Sequence, residues 1–494
     1  MTTIFPNRLA RYHRRLHHHL PPVFNLFSRN IHPNKMSVGW GGLPLLPLRC
    51  VLDHLSTEDS LAALSTCRHW RSAVLLYEGR KDTLKLRVKH LEKNLFLTRL
   101  FRKYTRKLHI YIDSCGEELD NFMNYVLPQF FDTQKLQELV FIGPTYILQS
   151  PNTPVAKLNR IITESLMFKN MHCLQKLSLL GCEMGTVKNE NGRYTHKNVE
   201  YYSRPLSFNS IPSPNDTVLS RCNAGMMTFF TLQQIVLDYD RMSTETLETL
   251  SELSQMSKLT LNIGLRRPLA LPTIDWRRAN RNLRVALNVI SAPQKLFNEL
   301  MDKVLIAELP LASLKVMFCK TLHADVLQRV VRLYKETLRE LVWADAPYDS
   351  ADMFHRIIKQ QRDADMITMC NVNPLILLCW QCTHLQRLVI HGYWVWQYDL
   401  LGFVRLRKSL EELEISAIYN KQTRFSSAIC SDNVVRVLAR DTQKPLDTEF
   451  VQQVNLFTEF SWSPVSWEHL HPALRPRPSA EHRADYVLQE VNRT

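Results

Sequence analysis

Glycine is scarce in this chain, 13 residues of 494. None builds a glycine-rich phosphate loop, so the common nucleotide-binding classes have no support. The 11 cysteines show no paired framework, which fits a reducing compartment, cytoplasm or nucleus, better than a disulfide-stapled secreted domain. No apolar run is long enough to span a bilayer. The first residues lack the apolar core of a secretory signal. No Ser/His/Asp set or carboxylate pair stands out. The expectation is therefore a protein with no catalytic residue, no cofactor, no metal and no membrane segment.

Acid is also missing locally. Residues 1–52 hold seven bases and no Asp or Glu. Residues 79–107 hold eleven bases against Asp82 and Glu92, whereas residues 108–494 contribute only +1 of the net +15. The high pI describes two segments rather than a whole surface. The first is an Arg/His-rich arm, residues 1–36, expected to be disordered. Its composition also suits a mitochondrial transit peptide. His17, His18 and His19 read as a solvated tract.

What is present begins at residue 40 with WGGLPLLPLRCVLDHLSTEDSLAALSTCRHWR. Pro44 suits the first turn of a helix. Leu48, Val51, Leu52 and Leu55 lie three and four apart, one apolar stripe. Ser56, Thr57, Glu58 and Asp59 supply cap-type residues before a second helix carrying Leu61 and Leu64, and Trp70 continues the spacing. Pro47 inside the first helix and Gly41-Gly42 before it depart from an ideal helical start. A module this short, residues 37–80, buries little apolar surface alone and needs a partner or a neighbouring domain. The plain alternative is a helical hairpin opening a larger domain.

From about residue 105 a leucine pattern recurs. Good copies of L-x-x-L-x-L start at Leu136, Leu174, Leu232, Leu338, Leu385 and Leu410; weaker ones lie at Met256–Leu261, Leu283–Val289 and Leu314–Phe318. This is the strand edge of a leucine-rich repeat. Spacings of 24 (Leu314 to Leu338) and 25 (Leu385 to Leu410) fit a repeat, whereas 58 (Leu174 to Leu232) and 47 (Leu338 to Leu385) require insertions or an unread copy. The fold class is thus α/β: a three-helix module followed by an irregular leucine-rich-repeat solenoid over residues 81–465. A polar loop is expected at 188–223 and a tail at 466–494.

Residues 40–71 resemble an F-box. The stretch Asn373–Ile415, with Leu456-Phe457-Thr458-Glu459, resembles the F-box only protein 33 family. That resemblance implies a non-catalytic receptor subunit of a cullin-based ubiquitin ligase. Its F-box would bind a Skp-type adaptor, and through it cullin and RING subunits. The adaptor-binding residues would be Leu43, Pro44, Leu48, Val51, Leu52, Leu55, Leu61 and Trp70. The resemblance names no substrate.

Strand alternation places substrate contacts by geometry. With Leu388 and Ile390 inward, Val389 and His391 face outward, as do Val140, Ser178, Val236, Val342 and Glu414. Solenoids bind on that concave face. Val342, Val389, His391, Tyr393, Trp394 and Trp396 are the substrate-binding candidates, with Trp394 and Trp396 readable equally as core. Cys379 and Cys382 form a C-x-x-C without a second pair, read as packing residues. In 79–107, Leu84, Leu86 and Val88 alternate like a strand. Leu97, Leu100, Phe101 and Tyr104 then follow helical spacing, with Arg99, Arg102, Lys103, Arg106 and Lys107 on the exposed side. That segment is either a solvated repeat helix or a dock for nucleic acid or an acidic partner. A basic repeat scaffold that binds nucleic acid is the competing function.

Overall fold

The computed structural model describes residues 40–55, 57–76, 82–111, 117–142, 166, 168–180, 187–188, 194–196, 199–201, 229, 231–239, 242, 244–264, 271–292, 294–320, 322–347, 357–358, 373–421, 434–438, 448–465 and 469–493. The basic arm and most of the 188–223 stretch lie outside them. Two compact units divide after Asp82.

In the first unit, helices α1 (Leu45–His54), α2 (Thr57–Thr66) and α3 (Arg68–Leu76) follow a short turn at Trp40–Gly42. Pro44 is the N-cap of α1, and its carbonyl accepts the Leu48 N–H at 3.0 Å. Pro47 is therefore the third helical residue. The first turn's N–H groups have no intrahelical acceptor, so a proline there costs the helix nothing. Leu48, Leu52, Ala63, Leu64, Ala73 and Val74 are buried. Arg71 Nε donates to the Leu64 carbonyl at 2.9 Å, tying α3 to α2. Ser56 lies outside the described residues.

The second unit is built on one sheet of eleven parallel strands in strict chain order. They are β1 (Thr83–Arg87), β2 (Lys107–Tyr111), β3 (Glu138–Ile142), β4 (Lys176–Leu180), β5 (Gln234–Asp238) and β6 (Lys258–Ile263), then β7 (Arg284–Ile290), β8 (Leu311–Met317), β9 (Glu340–Ala344), β10 (Arg387–His391) and β11 (Glu412–Ile415). Sequential parallel pairing is the mark of a repeat solenoid, each unit contacting its neighbours. The leucines of the motif lie in register: Leu108 beside Leu139 beside Leu177, and Leu314 beside Leu341 beside Leu388 beside Leu413. Helices Ala324–Tyr334, Pro374–Gln381 and Gln397–Leu406 connect the late strands.

The eleven strands exceed the nine copies of the leucine pattern by two: β1, legible as a strand from the alternation of Leu84 and Leu86, and β2. At β2 the leading leucine is replaced by Thr105, which is buried and whose hydroxyl donates to the Phe101 carbonyl at 2.9 Å. The eighth copy is also shifted. Leu314 pairs with Leu341, not Leu338, so its leading residue is Leu311 and the repeat length is 27 rather than 24. Both long gaps are insertions, because β4 pairs directly with β5 and β9 with β10. The first insertion carries short antiparallel strands at Val187–Lys188, Tyr194–His196 and Val199–Tyr201 where a loop was expected.

The 466–494 segment is no loose tail. Residues 469–493 fold onto the sheet, ending in a helix, Ala480–Asn492. Ser479 caps it by accepting the His482 N–H at 3.1 Å. Its neighbours Leu470, Ala473, Leu474, Tyr486, Val487, Leu488 and Val491 share one apolar cluster with Val140, Val236, Val342 and Val389. Eleven strands at about 4.8 Å would span roughly 48 Å if flat, and a helix of 13 residues is only about 20 Å long. Yet this helix pairs Asp485 with Arg87 on β1, and Arg493 just after it pairs with Glu412 on β11. The sheet must therefore curl around it.

Candidate docking surfaces

The first surface lies at the start of α1. Leu43 and Pro44 are held by His69, whose Nε2 donates to the Leu43 carbonyl at 2.6 Å. The Arg-His-Trp run thus fixes the Leu-Pro entry to the helix from 26 residues away. Leu45 is 46% exposed and Leu46 74%. Pro44 and Pro47 are also exposed, and Leu43, Val51, Leu55 and Trp70 are half-buried. Leu48 and Leu52 are fully covered and are not free for a partner; the helical stripe read from spacing is the buried side of α1. The Leu61 side chain lies outside what the structure describes. The sequence reading missed Leu46 because it falls off that stripe, and Leu45 although it continues the stripe one turn back, three residues before Leu48. The Leu45-Leu46 pair directly after Pro44, at the uncovered first turn, was the available signal.

The second surface is the concave face. The alternation was read correctly, but Val342, Val389 and His391 are not open. All three are buried, and Val342 and Val389 are packed in one apolar cluster with the 469–493 segment. His391 Nε2 donates to Glu414 at 3.1 Å. Tyr393 is fully buried and its hydroxyl donates to Asp345. Trp394 is half-buried against Ala417. Of the six candidates only Trp396 is exposed, with its ring edge-on to Tyr398 at 5.0 Å between centroids. Trp380, 61% exposed, went unnoticed in the sequence.

The covered face is a charge lattice. Arg387 forks onto Glu490 (2.8 and 3.0 Å), and also donates to Glu340 at 2.7 Å and Glu412 at 2.9 Å. Lys315 donates to the Glu490 carbonyl at 2.7 Å and lies 3.0 Å from Glu340. Lys176 reaches the Asn492 carbonyl at 3.0 Å and Lys258 the Arg493 carbonyl at 3.2 Å. Three lysines thus meet the negative end of the helix, where its last carbonyls lack intrahelical donors. Burial alone would raise Glu340, but Lys315, Ser313 and Arg387 outweigh it and bring it to about 2. Burial likewise opposes His109 and Lys176 at Glu138, which also falls to about 2. The His391 hydrogen bond holds Glu414 at about 2. At Asp345 burial prevails, pushing it to about 7 despite hydrogen bonds from Tyr393 and the Lys320 N–H. Such ion pairs cost desolvation and contribute specificity of fit more than net stability.

The remaining motifs resolve simply. Cys379 and Cys382 are buried, and burial pushes Cys382 up to about 12. The basic segment forms β1 and a helix, Leu91–Phe101, with Arg99, Arg102, Lys103 and Arg106 exposed. Tyr104, expected on the apolar side, is exposed, and Lys107 is half-buried. Among the described residues no helix is long and apolar enough to cross a membrane, and no cluster of three or more His, Cys, Asp or Glu is placed to hold a metal.

Comparison with known proteins agrees with this division. The F-box domain family matches residues 40–78. Human F-box only protein 33 is 22% identical over 446 residues, covering 77% of this chain and 77% of its own length. The mouse protein of the same name is 25% identical over 273 residues, covering 52% of this chain and 43% of its own length. An internalin structure from Listeria monocytogenes overlaps 67% of this chain at 12% identity with a TM-score of 0.20, too low to carry any argument. The chain carries an F-box and resembles F-box only protein 33.

Proposed function

We propose that this chain is the substrate-recognition subunit of an SCF-type ubiquitin ligase. The F-box docks a Skp-type adaptor, which links it to cullin and RING subunits. The repeat unit presents a protein substrate for ubiquitination and proteasomal degradation. The chain itself contributes positioning and no bond chemistry, and it works in the cytoplasm or nucleus. The observation that supports this reading most is the open apolar start of α1, with Leu45 and Leu46 exposed beside Pro44 within the matched F-box. Exposed leucines on a small rigid module suit a protein interface in which a few anchors dominate.

Purification of the tagged chain from cells with the proteasome blocked tests it. Adaptor and cullin should co-elute with the wild type and disappear with the Leu45→Ala, Leu46→Ala double variant. An eluate in which both chains carry the same adaptor would overturn the assignment of the surface. An eluate without adaptor from either would overturn the function.

A further inference from the structure

The concave face is occupied by this chain's own residues 469–493, and the way they fit points to a ligand class. Four cations on four different strands converge on the end of the helix: Lys176 on β4, Lys258 on β6, Lys315 on β8 and Arg387 on β10. They recognise two features of the occupant. The lysines take the free carbonyls of its last turn, a property of any helix C-terminus. The Arg387 fork takes one carboxylate, Glu490, in the bidentate geometry that arginine favours. Beside them, Val140, Val236, Val342 and Val389 form an apolar floor that accepts Val487 and Val491. Tyr486 and Leu488 join the same cluster, and Asp485 pairs with Arg87 on β1.

The fit is also imperfect, which matters for exchange. Ser178 Oγ, Thr260 Oγ1, Asn288 Oδ1 and His391 Nδ1 on this face, and Tyr486 Oη and Arg483 Nε on the segment, are buried without a protein partner. An occupant that left fewer such groups unpaired would bind better. The resident segment holds its place with the advantage of covalent attachment, which raises its effective concentration.

Resting on the substrate-receptor reading, we propose that the concave face is a receptor for an amphipathic protein helix carrying a carboxylate in its last turn, and that residues 469–493 are its resident occupant, exchanged for a substrate helix of the same chemistry. Such exchange makes the receptor closed until a matching helix arrives, as intramolecular and external ligands compete for one site.

The test uses the full chain and a fluorescent peptide of residues 469–493. The wild type should bind the peptide weakly. The Glu490→Lys chain, whose own helix is repelled by Lys315 and Arg387, should bind it at least tenfold more tightly, while a peptide carrying the same change binds neither. Equal weak binding by both chains, with the variant still folded by circular dichroism, would overturn the proposal. If the variant fails to fold, the segment is part of the fold's core and the proposal is wrong. Hydrogen exchange on the wild type gives a second, mutation-free reading: amides of 480–492 should exchange faster than those of β6 to β9, and equal protection would also overturn it. Adaptor binding, measured on the same samples, should be unchanged throughout. Its loss in the wild type would count against the F-box reading and leave the helix result standing.

Discussion

The start of the F-box and the concave face of the repeat sheet are kept in opposite states. The F-box leaves leucines bare at the start of α1. The repeat sheet covers its valine floor with a helix from the end of the same chain. Size explains part of the difference. A three-helix module has too little interior to hide every leucine, whereas a curled sheet encloses a space that a helix can fill. The lesson is that side-chain direction and side-chain availability are separate properties. Val389 points away from the leucine core as strand alternation requires, yet it is buried.

The comparison can be broken most sharply at the open surface. Leu46→Glu should weaken adaptor binding by at least ~30-fold, or about 2 kcal/mol, because it places a charge in the apolar contact. Its melting temperature should match the wild type, since Leu46 is 74% exposed. A variant that binds normally would move the adaptor contact elsewhere on the module. Within the closed unit, Gly392→Ala should cost more than ~2 kcal/mol of stability by denaturant titration. Gly392 has φ +82° and a Cβ there would collide with the Asp345 carbonyl. A neutral result would show that the turn after β10 is looser than its geometry.

Acid sharpens the comparison by opening the closed face. Glu138, Glu340 and Glu414 have folded-state values near 2, below the ordinary carboxylate range near 4.5. Depressed carboxylates stabilise the fold above their unfolded value, and that stability is lost as pH falls from about 4.5 towards 2. Asp345 runs the other way. Its value near 7 means that its contribution is fully present below about 4 and is lost as pH rises through 7. Denaturation from pH 3 to 8 should show a steep acid limb in the wild type. Asp345→Asn should remove the decline between about pH 4 and 7 and leave the acid limb below it in place. The smallest effect belongs to the basic helix. Replacing Arg99, Arg102 and Lys103 by Gln should change stability by less than ~0.5 kcal/mol. Any nucleic-acid binding by the wild type at low salt, lost steeply as salt rises, would revive the scaffold reading.

Much of this fold was written in the leucine spacing. The strands starting near Leu136, Leu174, Leu232, Leu338, Leu385 and Leu410 formed where the motif recurs, because burial every second residue leaves one solution for a parallel repeat. The copy at β2 was hidden because Thr105 fills a leucine's place. The face of Val342, Val389 and His391 was legible; the covering of the two valines was not, because Val487 and Val491 lie far along the chain in a polar stretch. The clue there was Ser479 as a cap ahead of an apolar pair four apart. At the F-box the periodic stripe identified the helix and its buried side, Leu48 and Leu52, while Leu45, three residues before Leu48, and Leu46, off the stripe, stay exposed.

Thiol labelling reads the central contrast directly. Leu46→Cys and Val389→Cys, each in the full chain and followed by peptide-resolved mass spectrometry, should label at rates differing by ~100-fold or more, with Leu46→Cys near the rate of a free thiol. Labelling of Val389→Cys as fast as Leu46→Cys, in a chain that melts like the wild type, would contradict the account.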